Sequence, residues 1–191
     1  MYSLLKGTWA LFFGVGMIML ANGLQGSLIG VRASLEGYSA LSAGIILTGY
    51  YAGFLSGALL IPNRVKSVGH VRMFAALASI ASISILLHSI HVSFIGWFLM
   101  RFISGMCFVG MYTVAESWIN DLSENNNRGK ALSVYMMVSM GGSAIGQLFL
   151  NIASPETASL FMLVSILISI SLVPILIVVS NQPDFSVTEY L

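Results

Sequence analysis

Ser93–Ala115 reads SFIGWFLMRFISGMCFVGMYTVA, 23 residues with one charge, Arg101, set among Leu99, Met100, Phe102 and Ile103. A helix that crosses the hydrocarbon core of a bilayer needs about 20 mostly apolar residues. Five further stretches have the same character: 8–30, 41–61, 71–87, 131–151 and 158–180. Apolar runs of this length must satisfy their own backbone hydrogen bonds in lipid, and a helix does so within the segment. Spanning strands would instead alternate over segments of about ten residues, which these are not. The expected fold is therefore an all-α membrane protein with six transmembrane helices joined by short polar breaks.

The composition agrees. Hydrophobic residues make up 57% of the 191 and charged residues 8%, against about 25% charged in an ordinary soluble domain. Mean hydropathy is +0.91. A net charge of +1 gives no basis for binding nucleic acid. Cys107 is the only cysteine and lies within an apolar stretch, so it frames no disulfide and reads as a space filler. His70, His88 and His91 sit at the edges of the stretches without a second ligand at metal spacing, so no metal or other cofactor is expected. The first stretch follows Lys6 but has no small-residue cleavage site before Arg32, so it reads as a retained helix and not a signal peptide. No His-Glu-x-x-His or Gly-x-Ser-x-Gly occurs, and the acidic residues lie in loops or at segment ends, which argues against an enzyme. No selectivity-filter sequence or ring-forming charge pattern suggests a channel.

The basic residues orient the bundle. Lys6, Arg64, Lys66, Arg72, Arg128 and Lys130 fall on one side of the six spans, and Arg32 alone on the other. Lys and Arg accumulate on the cytoplasmic side, so both termini are expected there. The breaks on the other side are Val31–Ala40, His88–Val92 and Ile152–Thr157, and the longest cytoplasmic one is Glu116–Lys130. The polar residues 181–191, with Pro183 and Asp184, read as an exit segment.

Polar residues inside the spans are the candidate functional groups. Arg101 lies about eight residues, or about 12 Å, into its stretch. An arginine at that depth costs several kcal/mol unless it faces a polar cavity or a partner; the alternative is that it snorkels to the interface. Asn22 and Gln25, three apart, share one helix face, where they either line a pathway or join helices. Tyr50, Tyr51 and Tyr112 are placed either to touch a solute or, as aromatic residues in a bundle usually do, to pack. Glu116 ends the fourth stretch, followed by Asp121, Glu124, Arg128 and Lys130, which form either a solvated loop or, through Glu116, one side of an ion-pair gate. Gly49, Gly53 and Gly57 form a four-residue stripe, Gly142 and Gly146 repeat the spacing, and such stripes let helices approach closely.

Six spans with a basic break after the second resemble one half of a major facilitator superfamily (MFS) transporter. Arg64-Val-Lys-Ser-Val-Gly-His-Val-Arg72 stands where that family has Gly-x-x-x-Asp-Arg-x-Gly-Arg-Arg, with Gly69 and Arg72 matching its end. Arg101-Phe-Ile-Ser-Gly105 is similar to the arginine-glycine motif of the family's fourth helix. Glu116-Ser-Trp118, the run Asn127–Met137 and Gly146-Gln-Leu148 resemble the YcaD-like subgroup of bacterial permeases. The resemblance runs the length of the chain and is most specific from Arg101 to Gln147. Two departures stand out. Lys66 occupies the aspartate position of the signature loop, so the usual gate pair cannot form, and a reversed pair of Lys66 with Glu116 or Asp121 is the expected substitute. The fifth stretch lacks the proline of the family's antiporter motif, so that motif gives no support for proton-coupled drug export.

The resemblance implies a half-unit of a secondary active transporter in a bacterial cytoplasmic (inner) membrane. It would move a small solute, with or without a coupling proton, by alternating access. Asn22, Gln25, Arg101 and Tyr112 would line the pathway, and Lys66, Gly69, Arg72, Glu116 and Arg128 would form the cytoplasmic gate. Members of the family carry two such halves with the solute site between them. The chain is thus expected either to be truncated or split, or to pair with a second six-helix half, a copy of itself or a separate C-terminal one. Residues 181–191 would then resemble the start of the central linker. The alternative is a non-transporting membrane protein that acts as an assembly partner through its glycine stripes.

Overall fold

The backbone of six long helices follows the six apolar runs: α1 Tyr2–Leu35, α2 Ala40–Val68, α3 His70–Ile90, α4 Phe94–Leu122, α5 Arg128–Leu148 and α6 Ser159–Ser180. The computed structural model describes residues 2–123 and 125–180, with side chains over 9–123 and 125–177. Glu124, the exit segment 181–191 and the side chain of Lys6 lie outside the described residues. Among the described residues there is no strand, and all six helices are long and apolar enough to cross a membrane.

Most helices run past the apolar stretch that announces them. A helix of 34 residues such as α1 is about 51 Å long, well over the roughly 30 Å of hydrocarbon. The ends are set by local chemistry instead. Gly37, at φ 79°, closes α1: its N–H reaches the Ser34 carbonyl, and the Tyr38 N–H reaches that of Ala33. This is a Schellman stop, which needs a residue free to take positive φ. Ser39 and Ser93 cap α2 and α4 by accepting from the N–H groups of Ser42 and Gly96. The helix α2 continues through Pro62 to Val68, and α4 takes in Glu116–Leu122, so this part of the expected loop is helical.

Six antiparallel passes leave two ends. The α1–α2, α3–α4 and α5–α6 connections share one, called here the Arg32 end, and the α2–α3 and α4–α5 connections share the other, the Lys66 end. Arg32 ties its end together. Its guanidinium pairs with Glu36 at 2.5 Å and donates to the carbonyls of Pro155 (3.0 Å) and Glu156.

The glycine stripes seat the helices. Helix α2 packs along α4, α1 along α5 and α6, and α3 along α4 and α6. A Cβ on Gly49 would stand 2.8 Å from the Phe98 carbonyl oxygen, and one on Gly57 would stand 2.9 Å from that of Met106. At Gly53 it would fall onto the Phe102 backbone, and at Gly105 onto that of Tyr50. Gly23, Gly142 and Gly146 bring α1 and α5 together in the same way. In lipid, where apolar burial gives little drive between helices, such close van der Waals approach is a main source of association. The core between them includes Leu24, Leu28, Phe74, Trp97, Phe108 and Phe161. Cys107 is fully buried in it.

Candidate functional site

Arg101 lies seven residues after Phe94, the first residue of α4. Its side chain is 4% exposed, so it turns into the protein and not toward an interface. The guanidinium carbon lies 4.5 Å from the centroid of the Tyr50 ring on α2. The backbone contact of Gly105 with Tyr50 brings these two helices close enough for that stacking. The Nε and Nη1 atoms are buried and have no hydrogen-bond partner among the described residues.

Tyr50 connects the cation to α1. Its hydroxyl donates to Asn22 Oδ1 at 3.1 Å. Its ring meets the exposed Tyr51 edge-on at 5.6 Å. Gln25, one turn along from Asn22, is fully buried, and neither its Oε1 nor its Nε2 has a partner among the described residues. Tyr112 sits lower on α4 with its hydroxyl buried and turned toward Tyr50, between the rings of Phe54 and Phe108. The structure thus places Asn22, Arg101 and Tyr112 around Tyr50, with Gln25 next to Asn22 on α1.

On the other flank, α3 presents Ser84 and His88. The Ser84 hydroxyl donates to the Met100 carbonyl at 2.9 Å and lies 3.1 Å from Ser104 Oγ. His88 is not at an edge: α3 runs on to Ile90, and the ring is 1% exposed, 5.8 Å from Trp97. Its Nδ1–H donates to the Ser84 carbonyl at 2.8 Å, and Nε2 has no partner among the described residues. Tyr50, weighed from sequence between solute contact and packing, and His88, read from sequence as an edge residue, both belong to this polar group. An aromatic residue carries no sign of which cation it faces, and a histidine near a helix end looks like an interfacial one.

The Lys66 end carries the residues expected at the gate. Lys66, Arg72, Glu116 and Arg128 are all exposed. The Glu116 carboxylate lies beside the Tyr135 hydroxyl on α5. Among the described residues no ion pair joins Lys66 to Glu116 or Asp121. The link between the start of α3 and the end of α4 comes from His70. Its Nε2 lies 3.1 Å from Ser117 Oγ and 3.6 Å from Asp121 Oδ2, and its ring stacks on Trp118 at 5.9 Å. Gly69 is the hinge residue between α2 and α3, at φ 89° and ψ 154°.

The fold belongs to a known class of membrane protein. The chain matches the Major Facilitator Superfamily over residues 11–188 and belongs to it. It is 28% identical over 187 residues to the uncharacterized MFS-type transporter YcaD of Escherichia coli O9:H4 (strain HS), covering 95% of this chain and 49% of that protein. The same figures hold for YcaD of Escherichia coli K12 / DH10B and of O157:H7 (strain EC4115 / EHEC). The chain spans about half the length of the curated relatives it matches.

Proposed function

We propose that this chain forms one six-helix half of a secondary transporter that moves a small solute across a bacterial cytoplasmic membrane. The observation that carries the reading is the seat of Arg101. A cation at membrane depth is buried on α4 against the Tyr50 ring of α2, and on α1 the buried Gln25 amide has no partner among the described residues. Intramembrane charges kept in this way mark solute and ion paths. In this reading Asn22, Gln25, Arg101 and Tyr112 line the path. Lys66, Gly69, Arg72, Glu116 and Arg128 lie at the cytoplasmic gate, with the His70–Asp121 link beside them.

The second half in this reading is another six-helix bundle, a copy of this chain or a C-terminal half. The supporting contrast is burial. Only 11% of the most apolar window of α5 is covered within this chain, against 61% for α1. An uncovered α5 and an α2 covered over only a third of its window are where another bundle would sit. The six-to-one distribution of basic residues supports cytoplasmic termini, with the Lys66 end inside. The two bundles would then rock about a site near the midplane.

Vesicle uptake tests this. The chain is reconstituted alone and together with the C-terminal half of YcaD from Escherichia coli K12, and a panel of labelled small solutes is offered. Uptake of at least one above empty vesicles, lost in Arg101→Gln at equal protein content, is expected. If no solute moves in either preparation, the chain acts as an assembly partner only.

A further inference from the structure

We infer that the solute, or an ion bound with it, carries a carboxylate that docks on Arg101. The inference rests on the transporter reading for the word solute, but the site itself rests on charge balance. The described residues contain four carboxylates: Glu36, Glu116, Asp121 and Glu156. All four are exposed, two at each end of the bundle, and none reaches Arg101. It lies over the face of the Tyr50 ring, which supplies a quadrupole and no compensating charge. Burying a guanidinium without a counter-charge is costly, and binding an anion relieves that cost.

The donors present favour a carboxylate. Guanidinium is planar with N–H groups in fixed directions, and it matches the two oxygens of a carboxylate better than a point charge does. Two of its nitrogens, Nε and Nη1, are buried without an acceptor among the described residues. One net positive charge suits a monoanion; a doubly charged phosphate would leave negative charge uncompensated in the same low-dielectric surroundings. Gln25 adds an amide with both donor and acceptor unengaged, which suits a neutral polar substituent on the same small molecule. Asn22 is half-buried, and one turn on, a Cβ at Gly26 would meet nothing within 4 Å, so the group opens outward along this face of α1.

Trp97, one turn before Arg101 on α4 and 5.8 Å from His88, is a built-in reporter. The Trp9→Phe/Trp118→Phe chain keeps it as the single tryptophan of three. The full chain in lipid nanodiscs is titrated in sodium HEPES at constant ionic strength with acetate and benzoate, then with acetamide, benzamide and chloride. Acetate or benzoate should change Trp97 emission saturably, the neutral amides should not, and Arg101→Lys should weaken the effect about tenfold or more. Gln25→Met, which keeps the cation, should weaken it about threefold, the loss of one neutral hydrogen bond. It keeps the test decisive if the Arg101 variant does not fold. Equal responses to acids and amides, saturation by chloride but not by the acids, no response at all, or wild-type binding in a folded Arg101→Lys would overturn the inference. Because binding is read without translocation, carboxylate binding without uptake sinks the transporter reading and leaves the site. Uptake without carboxylate binding does the reverse.

Discussion

Arg101 and Tyr50 are stacked cation on ring at 4.5 Å, and the Tyr50 hydroxyl is in turn bonded to Asn22. One side chain therefore supports a charge on α4 with its face and an amide on α1 with its edge.

Those two roles separate by mutation. Tyr50→Phe keeps the face and removes the bond to Asn22, for a loss of about 0.6 kcal/mol, the usual scale of an interhelical hydrogen bond in a membrane bundle. Tyr50→Leu removes the face as well and should cost about 2 kcal/mol or more, since the cation it leaves is desolvated. Unfolding titrations in mixed detergent measure both; equal losses would show that the ring does nothing for Arg101.

The glycines of α2 and α1 are not equivalent. A Cβ at Gly53 lands on the Phe102 backbone, which cannot swing aside as a side chain would. Gly53→Ala should therefore reach or exceed the upper end of ordinary overpacking, about 3 kcal/mol. Gly26→Ala points into open space and should stay within about 0.5 kcal/mol of the parent. The same titrations, with retention of the monodisperse particle on gel filtration, check the contrast.

Gly69 turns the chain between α2 and α3 with φ 89° and ψ 154°, a region reached almost only by glycine. Gly69→Ala should cost about 1–3 kcal/mol. Gly69→Asn should cost as much, because the asparagine advantage belongs to the left-handed helical region near ψ +47° and not to this one. Relief by asparagine, seen as a recovered unfolding midpoint, would place the strain elsewhere.

The spans were legible because lipid leaves a plain mark: runs of apolar residues too long for anything but a crossing helix. Their ends were less so. Hydropathy reports where hydrocarbon begins and ends, whereas Glu116–Leu122 stays helical past the apolar run with nothing to break it before Ser123. The stripe Gly49-Gly53-Gly57 announced a close helix contact, but its partner α4 lies some 50 residues away and no local pattern names it. Arg101 stood out as a charge among apolar neighbours. Tyr50 did not, because its meaning depends on the antiparallel register that sets it opposite Arg101. At the Lys66 end, the resemblance to the family's signature loop points to Lys66, at its aspartate position, as the ion-pair donor. Helix direction decides otherwise: α3 starts at His70, which faces Ser117 and Asp121 across the turn.

The uncovered side of α5 carries Met136, Met137 and Met140, each more than half exposed. Unbranched thioethers bend at three bonds and settle into whatever contour faces them. A neighbouring helix pressed on this seam would keep its grip through small rotations that would dislodge stiffer, branched side chains. The same softness is a weakness under oxidants: sulfoxide at these positions would wet and roughen the seam, and any pairing made across it would loosen first there.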